Sequence, residues 1–271
     1  MVQAAAFFDL DRTVIATASA LAFARPFYRD GLLSRRDVII NGYTQLSVKL
    51  AGAGEEQLAR IRDQLAAQCR GWRVEQVERI VAESLDELIA PYVYAEALEL
   101  IAWHRAAGRH VVLVSASGEE MVNPIAELVG ADDVIATRMA VANGRYTGEI
   151  EFYGAGEQKA VAVRKMAADH GYDLTRSYAY SDSISDLPLL STVGYPTVVN
   201  PDRALRRAAI ERAWPLMVFR SPVPTRTLRL LGALRARPAV PAAALLAGAA
   251  LAGLATWYGV RRARLAARAA S

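Results

Sequence analysis

The feature that most constrains the fold is an apolar run near the start of the chain that ends in acidic residues. Residues Ala4–Leu10 are apolar except for Asp9, and Asp11 follows directly. A strand that is apolar on both faces belongs inside a parallel sheet, with its carboxyl end opening towards a site. Two carboxylates at that end are costly to bury unless a cation or a reaction uses both. The run therefore predicts a buried first strand with a chemical site at its end.

Further along the chain, short apolar runs alternate with helical segments, which predicts an α/β protein with a doubly wound parallel sheet. The helical segments are Tyr94–Ala107 and Gln158–His170, and a glycine follows each of them. Asn143 and Gly144 form a strong two-residue turn signal and predict a hairpin. In such sheets, ligands bind at the carboxyl ends of the strands. The predicted later strands are His110–Ser115, Val134–Thr137, Tyr178–Ser181 and Thr197–Asn200.

Residues from about Ser19 to Ile89 do not alternate in this way but have the pattern of successive helices. This pattern predicts a helical insertion after the first strand, which would cap the core. The expected parts of the chain are core residues 1–15, a helical cap over 16–90, core residues 91–225, and a basic linker, apolar helix and basic tail over 226–271.

Charge is divided unevenly along the chain. Residues 203–271 hold 13 arginines and one acid, whereas residues 1–202 carry 19 basic and 27 acidic side chains. Residues 238–260 contain no charged side chain, and a helix over about 239–260, at about 1.5 Å per residue, reaches the thickness of a hydrocarbon core. Arginines flank both ends of this segment, which favours a transmembrane helix over an alanine-rich helix docked on the domain.

These features predict a single-pass protein of the cell membrane with its catalytic domain in the cytoplasm. The single cysteine, Cys69, cannot form an internal disulfide, and the first residues lack the basic region of a secretory signal. Nucleic acid is not an expected partner, because the arginines bracket an apolar segment instead of alternating with aromatic residues.

Polar residues follow the later strands as well. Ser115 ends the second predicted strand, Lys159 lies early in a helix, and Asp182 and Asp186 lie just after the strand at Tyr178–Ser181. Together with the Asp-x-Asp-x-Thr sequence that begins at Asp9, their order and spacing resemble the four motifs of the haloacid dehalogenase superfamily. The long helical insertion resembles the cap of subfamily IB, the phosphoserine phosphatase-like hydrolases. The resemblance is specific because four motifs occur in order over about residues 4–220.

The resemblance implies a Mg²⁺-dependent phosphomonoesterase. Asp9 would attack phosphorus to form an aspartyl-phosphate, and Asp11 would protonate the leaving alkoxide and then activate water. The resemblance also assigns phosphate binding to Ser115, Ala116 and Lys159, Mg²⁺ binding to Asp9, Asp182 and the backbone carbonyl of Asp11, and support of the metal site to Asp186 and Ser185.

The chain departs from the phosphoserine phosphatase pattern at Ala116 and Ser185, where those enzymes usually have Gly and Asn, and at the position of a substrate-binding glutamate. Those enzymes carry a glutamate nine residues beyond the nucleophile, where this chain has Ala18. The expected substrate is therefore a small or lipid-derived phosphate. Two alternatives stay open: a soluble phosphoserine phosphatase-like enzyme with an atypical pocket, and a regulatory membrane protein that binds a phosphate ligand with little turnover. The presence of every catalytic side chain disfavours the second alternative.

Overall fold

The computed structural model describes residues 3–34 and 55–223, with the backbone alone for residues 55–61. Within these ranges, several helices follow the first strand, and strands and helices then alternate along most of the chain. The strands are β1 (Ala5–Asp9), β2 (His110–Gly118), β3 (Asp133–Ala142), β4 (Arg145–Phe152), β5 (Tyr178–Ser181), β6 (Tyr195–Val199) and β7 (Leu216–Met217). The helices are α1 (Ser19–Ala22), α2 (Ala24–Arg29), α3 (Glu55–Gln68), α4 (Val74–Leu88), α5 (Ala95–Ala106), α6 (Glu119–Val129), α7 (Glu157–His170), α8 (Leu187–Leu190) and α9 (Arg203–Glu211).

The strands form one sheet in the order β4-β3-β2-β1-β5-β6-β7. All neighbouring strands run parallel except β3 and β4, which are antiparallel. The chain builds outward from β1 through β2 and β3, and then returns to the other side of β1 with β5. The carboxyl ends of β1 and β5 therefore flank the point where the strand order reverses, which is where ligands bind in sheets of this type.

Strand β1 is buried on both faces, as its apolar sequence predicts. All five of its residues are buried. On one face Phe8 belongs to a hydrophobic cluster that includes Ile101 of α5, and on the other face Phe7 belongs to a cluster that includes Val163 of α7. This arrangement confirms the predicted doubly wound α/β core.

Most of the predicted elements are present with small changes at their ends. The predicted helices at Tyr94–Ala107 and Gln158–His170 correspond to α5 and α7. Asn143 and Gly144 both have positive φ, of 52° and 71°, and they connect β3 to β4 as the turn signal predicts. The short edge strand β7 was not predicted, because two residues are too few to show the alternation of apolar and polar side chains that marks a strand.

Helices α1 to α4 all lie between β1 and β2 in the chain, where the sequence predicts a helical insertion. Helix α4 packs Val77, Ile80 and Val81 into the same hydrophobic cluster as Phe8 of β1. The insertion therefore shares a core with one face of the sheet. The domain bounds at 16–90 and 226–271 stay predictions.

The predicted transmembrane helix and the membrane location require correction. In the parts of the chain that the structure describes, the longest helix is α4 with 15 residues, and none of the helices is both long and apolar enough to cross a bilayer. A spanning helix needs about 20 largely apolar residues. The predicted segment 239–260 lies outside the described residues, and the proposed single-pass membrane location, which depended on that segment, is withdrawn.

Candidate active site

The carboxyl ends of β1, β2 and β5 bring together the polar residues that the sequence singles out. Asp9 is the last residue of β1, Ser115 lies in β2, and Asp182 directly follows β5. All three are buried, with exposed fractions of 6%, 1% and 4%. Thr13 lies in the turn after β1 and its hydroxyl donates to Asp9 Oδ2 at 3.2 Å. The parallel register of the central strands therefore gathers side chains that are far apart in the chain.

Lys159 is the cation at the centre of this cluster. It lies in the first turn of α7, is only 4% exposed, and donates from Nζ to Asp9 Oδ1 at 2.6 Å and to Asp186 Oδ2 at 2.8 Å. Burial by itself would lower the pKa of the Lys159 ammonium, but the charges of the two aspartates outweigh it and raise that pKa. Lys159 is therefore a fixed positive charge beside Asp9.

Asp186 lies one turn beyond Asp182 and connects Lys159 to the end of β5. Its Oδ2 also accepts a hydrogen bond from the Ser181 hydroxyl at 2.7 Å. Its Oδ1 is buried without a hydrogen-bond partner. Ser185, which the motif resemblance places beside Asp186, is instead exposed, and its hydroxyl donates to Ser183 Oγ at 3.0 Å. The Ser181 hydroxyl is thus a partner of Asp186, and the supporting role of Ser185 stays a prediction.

Asp11 lies two residues beyond Asp9 and has a different environment. Its Oδ1 accepts the backbone N–H of Ser19, the first residue of α1, at 2.9 Å. Burial raises the pKa of the Asp11 carboxyl, and the hydrogen bonds from Ser19 partly oppose that rise. Asp9 is paired with the Lys159 ammonium, whereas Asp11 accepts a backbone N–H, and such a difference in environment is the pattern of a nucleophile beside a proton donor.

The segment around Ser115 is held tightly by the chain that leads into α7. The backbone N–H of Ser117 donates to Ser115 Oγ at 3.1 Å, and the Thr137 hydroxyl donates to the Ala116 carbonyl at 2.7 Å. A Cβ atom at Gly154 would overlap the Ser115 carbonyl oxygen, so only glycine fits there. Ala116, next to Ser115, is an exposed residue.

Asp182 pairs with an arginine from the turn after β1. Arg12 Nε lies 3.0 Å from Asp182 Oδ2, and Arg12 adopts a left-handed conformation with φ of 63°. Burial raises the pKa of Asp182 to about 6, although Arg12 opposes the shift. For Asp9, burial likewise raises the pKa, and Lys159 opposes the rise. Both carboxyls thus lack enough positive charge nearby to keep their ordinary acidity.

The donor set fits a divalent magnesium ion. When ionised, the four carboxylates described above carry two more charges than Lys159 and Arg12 supply. No cluster of three or more His, Cys, Asp or Glu side chains within residues 3–34 and 62–223 is arranged to hold a metal. Mg²⁺ does not require one, because it binds through one or two carboxylates and keeps waters or substrate oxygens as further ligands. Asp9 and Asp182 are two buried carboxylates at the ends of neighbouring strands, which fits this requirement.

The inserted helices reach the site through residues that the sequence did not single out. Ser19 of α1 contacts both Asp11 and Ser117, with its Oγ 2.7 Å from Ser117 Oγ. Arg62 of α3 lies with its guanidinium carbon 5.3 Å from the ring centroid of Tyr153, just before Gly154. A serine in a run of small residues and an arginine in a polar helix give no sequence signal of such roles, because both contacts depend on how the insertion folds back.

Comparison with known proteins agrees with this site. The profile of the haloacid dehalogenase-like hydrolase family matches residues 6–191. The chain is 53% identical to the inhibition of morphological differentiation protein of Streptomyces azureus, over 96% of this chain and 94% of that protein. It is 50% identical to a probable phosphatase of Mycobacterium tuberculosis, over 93% of this chain and 85% of that protein.

A solved structure is similar in both fold and sequence. It is a protein with unknown function from Bordetella pertussis Tohama I, with a TM-score of 0.70 and 30% identity, and it covers 80% of this chain and 99% of that chain. More distant relatives include phosphoserine phosphatases and a histidinol-phosphatase. The chain therefore belongs to the haloacid dehalogenase-like hydrolase family, in its phosphoserine phosphatase-like branch, and is a hydrolase of phosphoric monoesters.

Proposed function

We propose that the chain is a Mg²⁺-dependent phosphatase of small phosphomonoesters and that it acts through an aspartyl-phosphate at Asp9. The observation that carries this proposal is the buried pairing of Asp9 with Lys159, beside a second carboxyl, Asp11, that accepts a backbone N–H. A paired carboxylate is available as a nucleophile, and the neighbouring carboxyl is available as an acid.

In the first step, a carboxylate oxygen of Asp9 forms a bond to phosphorus while the bond between phosphorus and the substrate alkoxide breaks. Asp11 gives its proton to the departing alkoxide, which leaves as an alcohol. Lys159 stays charged and stabilises the negative charge near Asp9 and the phosphoryl oxygens. The result is a covalent aspartyl-phosphate and an ionised Asp11.

In the second step, water attacks the phosphorus of the aspartyl-phosphate. The ionised Asp11 takes a proton from that water, the bond between phosphorus and the Asp9 oxygen breaks, and inorganic phosphate is released. In the proposal, Ser115 Oγ and the Ala116 amide hold the non-bridging phosphoryl oxygens in both steps. Asp9, Asp182 and the Asp11 carbonyl would hold Mg²⁺, which would neutralise part of the phosphoryl charge.

The proposed substrate is a phosphorylated small molecule. Ala18 stands at the start of α1, where phosphoserine phosphatases carry a substrate-binding glutamate, so this chain lacks that partner for an ammonium group. A phosphoserine phosphatase activity remains the second candidate, and the names of the distant relatives favour testing it. A panel that includes phosphoserine, histidinol phosphate and sugar phosphates separates the two, since a phosphoserine phosphatase should prefer the ester with an ammonium group over sugar phosphates, which have none.

The direct test of the chemistry is release of phosphate from an aryl phosphate with and without Mg²⁺. Turnover by the wild type should require Mg²⁺, and it should fall to background in Asp9→Asn. The matched control is Asp169→Asn, the same substitution at an exposed position near the end of α7. The control should keep wild-type activity. Undiminished turnover in Asp9→Asn would overturn the assignment of Asp9 as nucleophile.

A further inference from the structure

Ser19 lies at the start of α1 and binds the catalytic-site carboxyl Asp11 through its backbone. Its N–H donates to Asp11 Oδ1 at 2.9 Å, and the residue is completely buried. Ala18 before it is extended, with φ of −90° and ψ of 119°, and its side chain forms no helix cap. One of the free N–H groups of the first helical turn is therefore satisfied by Asp11 instead of by a capping side chain.

The same serine also contacts the phosphate-site strand. Ser19 Oγ lies 2.7 Å from Ser117 Oγ, and the Ser117 N–H donates to Ser115 Oγ at 3.1 Å. Ser117 is 8% exposed and Ser115 is 1% exposed, so water competes little for these bonds. A continuous chain of hydrogen bonds thus runs from Asp11 through Ser19 and Ser117 to Ser115.

We propose that Ser19 is a positioning residue that orients Asp11 as the proton donor and ties that orientation to the phosphate-binding strand. This inference rests on the proposed function, in which Asp11 protonates the leaving group. The Ser19 amide occupies Oδ1 of Asp11, which leaves Oδ2 to carry the proton. The Ser19 hydroxyl fixes the first turn of α1 against Ser117, so the amide stays in place. A shift of α1 would misalign the acid without removing it.

The variant Ser19→Pro removes the N–H that Asp11 accepts. Proline is favoured at the first position of a helix, and the extended Ala18 satisfies the restriction on the residue before proline. The measurement is the rate of phenol release in the first turnover, by stopped flow with saturating Mg²⁺. It compares a dinitrophenyl phosphate, whose leaving group departs without a proton, with phenyl phosphate, whose leaving group needs one.

The expected result is a selective loss. Ser19→Pro should slow release from phenyl phosphate by about tenfold or more, within the range that general acid catalysis contributes, and should change release from the dinitrophenyl ester by less than about threefold. Asp11→Asn should show the same selectivity with a larger effect. Ala20→Gly loosens the same turn but keeps the Ser19 amide and hydroxyl, and it should leave the ratio of the two rates as in the wild type.

Equal slowing of both esters in Ser19→Pro would show a structural role only and would overturn the inference. Wild-type protein that releases neither phenol would instead contradict the proposed function. If Ser19→Pro fails to fold, as judged by circular dichroism, Ser117→Ala decides. That variant removes only the hydroxyl partner of Ser19. It should slow release from phenyl phosphate, relative to release from the dinitrophenyl ester, by about threefold. An unchanged ratio in a folded Ser117→Ala protein would then overturn the inference.

Discussion

Replacing Lys159 with methionine tests the buried ion cluster at the centre of the site. Lys159 Nζ lies 2.6 Å from Asp9 Oδ1 and 2.8 Å from Asp186 Oδ2, and the three residues are 4%, 6% and 2% exposed. Methionine keeps most of the side-chain volume but removes the charge. Two buried carboxylates would then face each other without the cation that they share.

Removing one partner of a buried ion pair costs about 3–5 kcal/mol of unfolding free energy, because the remaining charge stays buried and uncompensated. In Lys159→Met we expect a loss in this range in the absence of Mg²⁺. The loss should depend on pH. Without Lys159 the folded-state pKa of Asp9 lies further above its unfolded value, so folding favours the protonated form. Because burial already raises the pKa of Asp9 to about 8 in the folded wild type, the extra loss appears above that pH, and the variant should lose more stability at pH 9.5 than at pH 7.

Urea unfolding at both pH values, in a chelating buffer, measures this effect. The matched control is Lys165→Met, which replaces an exposed lysine of the same helix. The unfolding free energy of this control protein should differ from that of the wild type by less than about 0.5 kcal/mol. A loss below about 1 kcal/mol in Lys159→Met, or a loss that is equal at pH 7 and pH 9.5, would refute the reasoning.

Three further changes have defined outcomes. Gly154→Ala should lower kcat/KM for an aryl phosphate by about tenfold or more, because its Cβ displaces the Ser115 carbonyl; wild-type kinetics would contradict the close approach. Burial lowers the pKa of His104 to about 3, so the unfolded chain takes up a proton below about pH 6.5 that the folded chain does not. Between pH 7 and pH 5, the unfolding free energy of the wild type should therefore fall by about 2 kcal/mol more than that of His104→Gln, as measured by urea unfolding. If the unfolding free energies of the two proteins change in parallel with pH, the imidazole is not buried in its neutral form. Asp182→Asn should weaken Mg²⁺ binding at least about tenfold in calorimetric titration, and an unchanged dissociation constant would exclude Asp182 as a ligand.

Much of the site geometry follows from local sequence signals. An apolar run that ends in acids specifies a buried strand and places Asp9 at its carboxyl end, and the run before Asp182 does the same. Because parallel strands end at a common edge, the two acids had to lie near each other. Lys159 could be placed only through the motif resemblance, because a lysine in a helix is usually exposed. The structure instead has it 4% exposed.

The remaining contacts depend on tertiary packing and left no local signal. The bond between Ser19 and Ser117 joins residues 98 positions apart, and the pair of Arg12 with Asp182 requires a left-handed turn after β1. The pairing of Ser181 with Asp186 depends on which side of the β5 end the Ser181 hydroxyl faces. The predicted transmembrane helix rested on hydropathy and flanking charge alone. Neither property shows which surfaces an apolar segment packs against.

The most direct test of the account is chemical capture of the covalent intermediate. Wild-type protein would be mixed with substrate and Mg²⁺, quenched within one turnover, and reduced with borohydride, which converts an aspartyl-phosphate to homoserine. Mass spectrometry of the peptide that contains Asp9 should then show homoserine at that position, and the Asp9→Asn variant should show neither the modification nor turnover. Turnover at the wild-type rate in Asp9→Asn, or capture at a residue other than Asp9, would contradict the account.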